Sequence, residues 1–270
     1  MLRPVRMGRR RALVWISVPR VLAALAAGAV VAAAAVAPPL ARALGEGTLL
    51  DVRAVDYAGG NPSPHPSAPR RIAWEVRKRT SVETRLEPTR ARLDDPSIFE
   101  TPFLYLAGDR RFPPLSAAEI AGLRRFVEFG GFVLIDDATP DATGFDESIR
   151  RELSRAFPSA PLRRLGTTHT IFRSFYLLYR AVGRVQGTEH LEGMERGGRV
   201  AVVYSRHDLG GAWARDNLGS WEQPVTPGGE AQREMAIRLG VNLVLYALCL
   251  DYKDDQVHAP FIMRRRGGVP

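Results

Sequence analysis

From residue 48 onward the chain alternates two kinds of apolar pattern. Short, nearly unbroken apolar runs read as strands buried on both faces. Stretches whose apolar residues recur every three or four positions read as helices with one face on a core. Strands are predicted at residues 48–57, 103–107, 132–135 and 199–205. Helices are predicted over 70–81, from Ser116 to Gly130, over 145–157 and over 230–250. The second is the best marked: Ser116 and Glu119 form a capping-box pair, Ile120, Leu123 and Val127 follow at helical spacing, and Gly130 stops the helix. A proline- and serine-rich loop spans 62–69, and a long loop with glycines and tryptophans spans 209–229.

Phe103 to Ile135 reads strand, helix, strand, a unit that crosses over right-handed into a parallel pair. The whole alternation predicts an α/β fold, a three-layer sandwich with a mainly parallel sheet. Ligands of such sheets bind beyond the carboxyl ends of the strands. If the four strands are parallel, that edge collects Asp56, Gly59, Gly60, Asn61, Asp109, Asp136, Asp137, His207 and Asp208, with His169 as a possible addition from the segment 167–176. The glycines of Gly59-Gly60-Asn61 are candidates for an anion-holding turn, against the plainer reading of a turn alone.

The residues before 48 change the charge picture. Positions 1–43 hold seven arginines and no acidic residue, so the formal charge of +9 falls to +2 without them. A basic start (Arg3, Arg6, Arg9, Arg10, Arg11), an apolar run from Val21 to Ala37, and Ala41-Arg42-Ala43 follow the order of an export signal. Arg10-Arg11 and the Ala/Val-rich run point to the twin-arginine route, with cleavage before Leu44. The alternative is an uncleaved anchor, for which the run is short of the roughly 20 residues a span needs. The expected location is the periplasm or cell envelope, membrane-anchored if the signal stays. The basic excess sits mainly in the signal, so nucleic acid is excluded as a partner. The domain reading is a signal at 1–43, an α/β domain at 44–252 and a C-terminal tail at 253–270. That tail runs from apolar (257–263) to basic (Arg264–Arg266) and reads as a solvated end or a docking element.

Nothing among the candidate residues completes a catalytic motif. There is no H-E-x-x-H, no P-loop lysine and no G-x-S-x-G elbow. Ser205 and His207 lie too close along the chain to assume a productive pair. Cys249, the sole cysteine, sits among leucines and is expected to be buried and inert. No metal and no cofactor is expected. Trp213 and Trp221 read either as staples for the 209–229 loop or as surfaces for a sugar or peptide. Asp136 and Asp137 read either as one cap of the following turn and one solvent-facing carboxylate, or as ligand contacts.

Several segments together resemble the domain-of-unknown-function family 4159: PFLYLAGD (102–109), LRRFVEFGGFVLIDD (123–137), FDESIRREL (145–153), HTIFRSFY (169–176) and HDLGGAW (207–213), with WEVRKRTS (74–81) and REMAIRLGVNLVLYAL (233–248). The resemblance implies a fold of the class I glutamine-amidotransferase-like group, close to flavodoxin-like folds. It also implies bacterial, exported or membrane-tethered proteins encoded near AAA-type ATPases and von Willebrand factor A proteins, which makes the latter candidate partners. The amidotransferase relatives carry a cysteine on a strand-to-helix elbow, and no cysteine stands at such an elbow here.

The expected function is therefore a non-amidotransferase domain that binds a ligand or protein partner in the envelope, more a binding protein than an enzyme. The alternative is an envelope hydrolase, metal-assisted or not, built on Asp136, Asp137, His169, His207 and Asp208. Convergence of those five on one pocket decides between them.

Overall fold

A computed structural model describes the backbone of residues 49–266 and the side chains as far as Cys249. The signal read at 1–43 and the side chains of the C-terminal tail lie outside the described residues. Seven strands form one sheet: β1 (Arg53–Asp56), β2 (Arg90–Arg92), β3 (Phe103–Gly108), β4 (Phe132–Asp137), β5 (Arg163–Leu165), β6 (Leu191–Arg196) and β7 (Arg199–Ser205), in the order β2-β1-β3-β4-β7-β6-β5. The first five in that order run parallel. β6 and β5 extend the sheet antiparallel.

Side chains of a strand alternate between faces, and each face of this sheet has its own apolar core. Phe103, Tyr105, Phe132 and Leu134 join α1 (Ala68–Arg79), the short α4 (Leu209–Trp213) and α5 (Gly229–Arg266) on one side. Leu104, Leu106, Val133 and Ile135 join α2 (Ala117–Glu128) and α3 (Gly144–Ala156) on the other. This is the three-layer α/β sandwich expected. The capping box on α2 is present in both directions: Ser116 Oγ accepts from the Glu119 amide, and Glu119 Oε2 accepts from the Ser116 amide.

The departures from expectation have local causes. β2 and β5 are three residues long and mostly arginine with exposed side chains, so no apolar period announces them. α4 lies inside the segment read as loop, because Gly210-Gly211 lowers helix propensity while burial of all five residues imposes the turn. α5 does not stop at 250 but runs through the boundary drawn at 252. Cys249 is exposed, not buried. It lies past Ala247, the last buried position of α5 among the described side chains. Among the described residues, no helix is long and apolar enough to cross a membrane.

Asn242, the polar residue inside the apolar part of α5, is fully buried and saturated. Its Oδ1 accepts from the amides of Phe175 and Tyr176, at 3.2 and 2.7 Å. Its Nδ2 donates to the carbonyls of Ile171 and Tyr176, at 2.9 and 2.8 Å. One side chain thus fixes the segment 171–176 to the helix.

Candidate functional site

β1, β3, β4 and β7 end at one edge of the sheet, and the segments after them meet there. Asp136 and Asp137 both stand at that edge, but as neighbours in a strand they face opposite layers. Asp136 faces α4. Its Oδ1 accepts from the Leu209 amide at 2.9 Å, and its Oδ2 accepts from the Gly210 amide at 2.7 Å and the Tyr105 hydroxyl at 2.9 Å. Asp137 faces α3. It accepts from the Thr139 amide at 3.0 Å and the Tyr204 hydroxyl at 3.2 Å, with Arg206 Nε 3.6 Å away.

Asp208 joins Asp136, not Asp137. It is the one non-glycine with positive φ among the described residues, at 53°, a conformation aspartate tolerates better than most residues. Its Oδ1 accepts from the Gly211 amide at 2.9 Å, and its Oδ2 pairs with Arg184 Nε. His65, from the proline-rich loop after β1, brings Nε2 to 2.9 Å from Asp208 Oδ1. The two form an ion pair when the imidazole is protonated. The two glycines are obligatory in this packing: a Cβ at Gly210 would stand 2.5 Å from Tyr105 Oη, and one at Gly211 would stand 2.4 Å from Asp208 Oδ2.

Asp136 and His65 are both shifted within this buried cluster. Burial, then the charge of Asp208, pushes the Asp136 carboxyl up to about 7 against the pull of its amide and hydroxyl donors. Burial lowers His65, yet the contact with Asp208 and the charges of Asp208 and Asp136 outweigh it and raise its pKa above the usual value. Burial also raises Asp137, with the Thr139 amide and Arg206 opposing.

The remaining predicted residues are spread out. His207 is buried, with Nε2 2.5 Å from the Thr188 carbonyl, so that nitrogen carries the proton. Burial lowers its pKa and favours the neutral ring. His169 does not join this edge. It sits against Tyr246, whose hydroxyl accepts from the amide of Val200 near the start of β7, at the amino end of the sheet. The connection between α3 and β7 returns it there. Trp213 is buried and donates from Nε1 to the Ala236 carbonyl at 3.0 Å, so it is a staple. Asn61 donates to Asp109 at 2.7 Å, and Arg110 pairs with the same carboxylate. Gly59 and Gly60 make room for Pro113 and for the ring of Tyr57. The five residues of the hydrolase expectation thus do not converge on one pocket. Among the described residues, no three His, Cys, Asp or Glu side chains are arranged to hold a metal ion.

Sequence reasoning missed His65, Tyr105 and Arg184. His65 had a usable signal, since it follows a strand that ends on this edge. Tyr105 follows from parity, being on the Asp136 side of the neighbouring strand. Arg184 carries no signal in the sequence.

Two openings flank the buried cluster. One, of about 470 Å³, lies on the α3 side, where Arg150 is spanned by Asp146 and Glu192, and Arg206 donates to the Pro140 carbonyl. The other lies between α1 and the segment 215–222. It has two connected lobes of about 560 and 380 Å³ that share Ser67, Arg70, Glu87, Arg215, Asp216 and Asn217.

Compared with known families, residues 51–248 match the model described as Domain of unknown function (DUF4159). No curated protein matched the chain.

Proposed function

The chain belongs to the DUF4159 family, and from that premise we propose that it is an exported α/β domain that binds a ligand or protein partner in the cell envelope. The binding surface in this reading is the two-lobed cleft between α1 and residues 215–222. One observation carries it. The acidic groups and imidazole at the end of β4 and β7 are buried and engaged by amides, hydroxyls and each other. The adjoining cleft instead presents Arg70 and Arg215 at an open surface. Export rests on the arginine-led signal of residues 1–43, and a von Willebrand factor A-type protein is a candidate partner through the resemblance alone.

The test is affinity capture of the full chain from envelope extracts, with wild type compared with Arg70→Glu and Arg215→Glu. Partners retained by wild type and lost by both variants support the reading. Partners retained equally by all three overturn the placement of the surface. Replacing Arg10 and Arg11 by lysine and fractionating the cells checks the export route.

The hydrolase reading keeps one observation in its favour. Asp136 is pushed up to about 7, beside His65 and Asp208, which is the range in which a carboxyl can give and take a proton at neutral pH. Hydrolytic turnover that disappears in Asp136→Asn, while the folded structure persists, would establish it over the binding reading.

A further inference from the structure

The loop between β1 and α1 is fastened at its middle by one side chain. Residues 62–67 read Pro-Ser-Pro-His-Pro-Ser, and none of them is fully buried. The two ends of the loop have neutral or exposed ties. The Ser63 amide donates to Asn61 Oδ1 at 3.3 Å. Ser67 Oγ accepts from the Arg215 amide at 3.0 Å and donates to Glu222 at 2.6 Å. Between these ties stand Pro64, His65 and Pro66, and the prolines have no N–H to give. His65 turns inward, its side chain 12% exposed, with Nε2 2.9 Å from an oxygen of the fully buried Asp208. Its ring lies against α4, where a Cβ at Gly210 would stand 3.3 Å from His65 Cδ2.

Ionisable groups from several elements meet around this ring. Asp208 precedes α4, Asp136 ends β4, and Tyr105 on β3 donates its hydroxyl to Asp136. Arg184, in the connection between β5 and β6, pairs with Asp208. Burial, then the charge of Asp136, keeps the proton on Tyr105. The charges of Asp208 and Arg184 offset each other, so a single proton between Asp136 and His65 leaves the cluster neutral. A buried group of charges is least costly when it balances.

We propose that His65 is a pH-sensitive latch: its ion pair with Asp208 fastens the loop 62–67 onto α4, and loss of the ring's proton releases the loop. Pro66 and Ser67 belong to the wall of the two-lobed cleft. The latch therefore sets the position of that wall, a consequence that rests on the binding surface placed above. The sign follows from the imidazole. Burial lowers its pKa, but the contact with Asp208 and the charges of Asp208 and Asp136 outweigh burial and leave it raised. The latch is thus complete below the ordinary imidazole value of about 6.5 and is lost as pH rises through the raised one. Ionisation of Asp136 at about 7 adds a negative charge that resists the loss.

The experiment is hydrogen exchange read by mass spectrometry on the purified full chain, each rate divided by the intrinsic rate at that pH. Between about pH 6 and about pH 9, protection of the wild-type loop falls about threefold or more while that of β4 is unchanged. His65→Gln keeps a polar side chain without the charge; its loop is weakly protected at the acid end and its protection does not vary with pH. Asp136→Asn removes the charge that helps to hold the proton, so its loop is released at lower pH than in wild type. Melting of both variants reports whether they fold. Where His65→Gln does not, an NMR titration of the His65 ring in wild type decides, with a midpoint above about 6.5 expected. The proposal is overturned if wild-type protection is independent of pH, if folded His65→Gln reproduces the wild-type profile, or if the ring titrates below that value. Hydrogen exchange needs no partner, so failure of the latch and failure of the binding reading are distinguishable.

Discussion

Asp136→Asn is the most informative single change in the buried cluster, because it removes a titration while keeping the shape. The carboxyl stands at about 7 in the folded protein against an ordinary value of 3.8. Between pH about 4 and about 7 the folded state therefore holds a proton that the unfolded chain has lost. By linkage, this contribution to stability is complete at the acid end and is lost as pH rises through about 7. A tenfold change in proton affinity is worth about 1.4 kcal/mol, so the whole window is worth at most about 4 kcal/mol. Asp208 shares in the interaction, which makes about 2–4 kcal/mol the expected range.

The asparagine cannot titrate. It still offers a carbonyl to one of the Leu209 and Gly210 amides, but it turns an NH2 toward donors that the carboxylate accepted. That mismatch costs about 1–3 kcal/mol, the usual penalty for a buried donor without an acceptor. The variant is thus less stable than wild type at about pH 5. The deficit shrinks toward zero, or reverses, by about pH 8. His207 and His169, pulled down by burial, tilt both proteins the other way, with stability lost as pH falls below about 6.5. The quantity to read is therefore the difference between the two proteins, from urea unfolding at several pH values. A difference that stays constant with pH, or grows as pH rises, would refute the assignment of a buried, proton-holding carboxyl to Asp136.

Three further changes test other parts of the structure. Gly210→Ala drives a methyl to 2.5 Å from Tyr105 Oη and is expected to cost about 1–3 kcal/mol by overpacking, read as a lower urea midpoint with an unchanged slope. Asn242→Ala removes the partner of four backbone groups, one bond buried and three part-buried; a loss of about 2–4 kcal/mol is expected, with faster hydrogen exchange at Phe175 and Tyr176 before global unfolding. Cys249, exposed on α5, should react with a water-soluble disulfide reagent in the native protein as fast as in urea, and strong protection would contradict the end of the apolar stripe at Ala247.

Most of the framework was legible because it rests on period and parity. Unbroken apolar runs announced β3, β4 and β7, and a strand-helix-strand unit fixed their direction. The same parity rule divides the aspartates: successive strand residues face opposite layers, so Asp136 and Asp137 could share an edge but never a pocket. What stayed hidden depended on long-range returns of the chain. His169 sits in a connection between α3 and β7 with no periodic signal, and only the packing of Tyr246 shows that it returns to the amino end. His65 was concealed by its proline-rich surroundings. It adds a second cation beside Asp208, which Arg184 already pairs, while Asp136 keeps its proton up to about 7, because two neighbouring carboxylates do not both stay ionised in a dry interior. The Asp136 side of β4 is thereby committed to holding α4 in place. The open arginines lie next door on α1 and in the segment 215–222, and α4 feeds directly into that segment at Ala214. A change that loosens Asp136 is therefore expected to disturb Arg215 before it disturbs Arg70, which makes the buried cluster the anchor of one wall of the cleft.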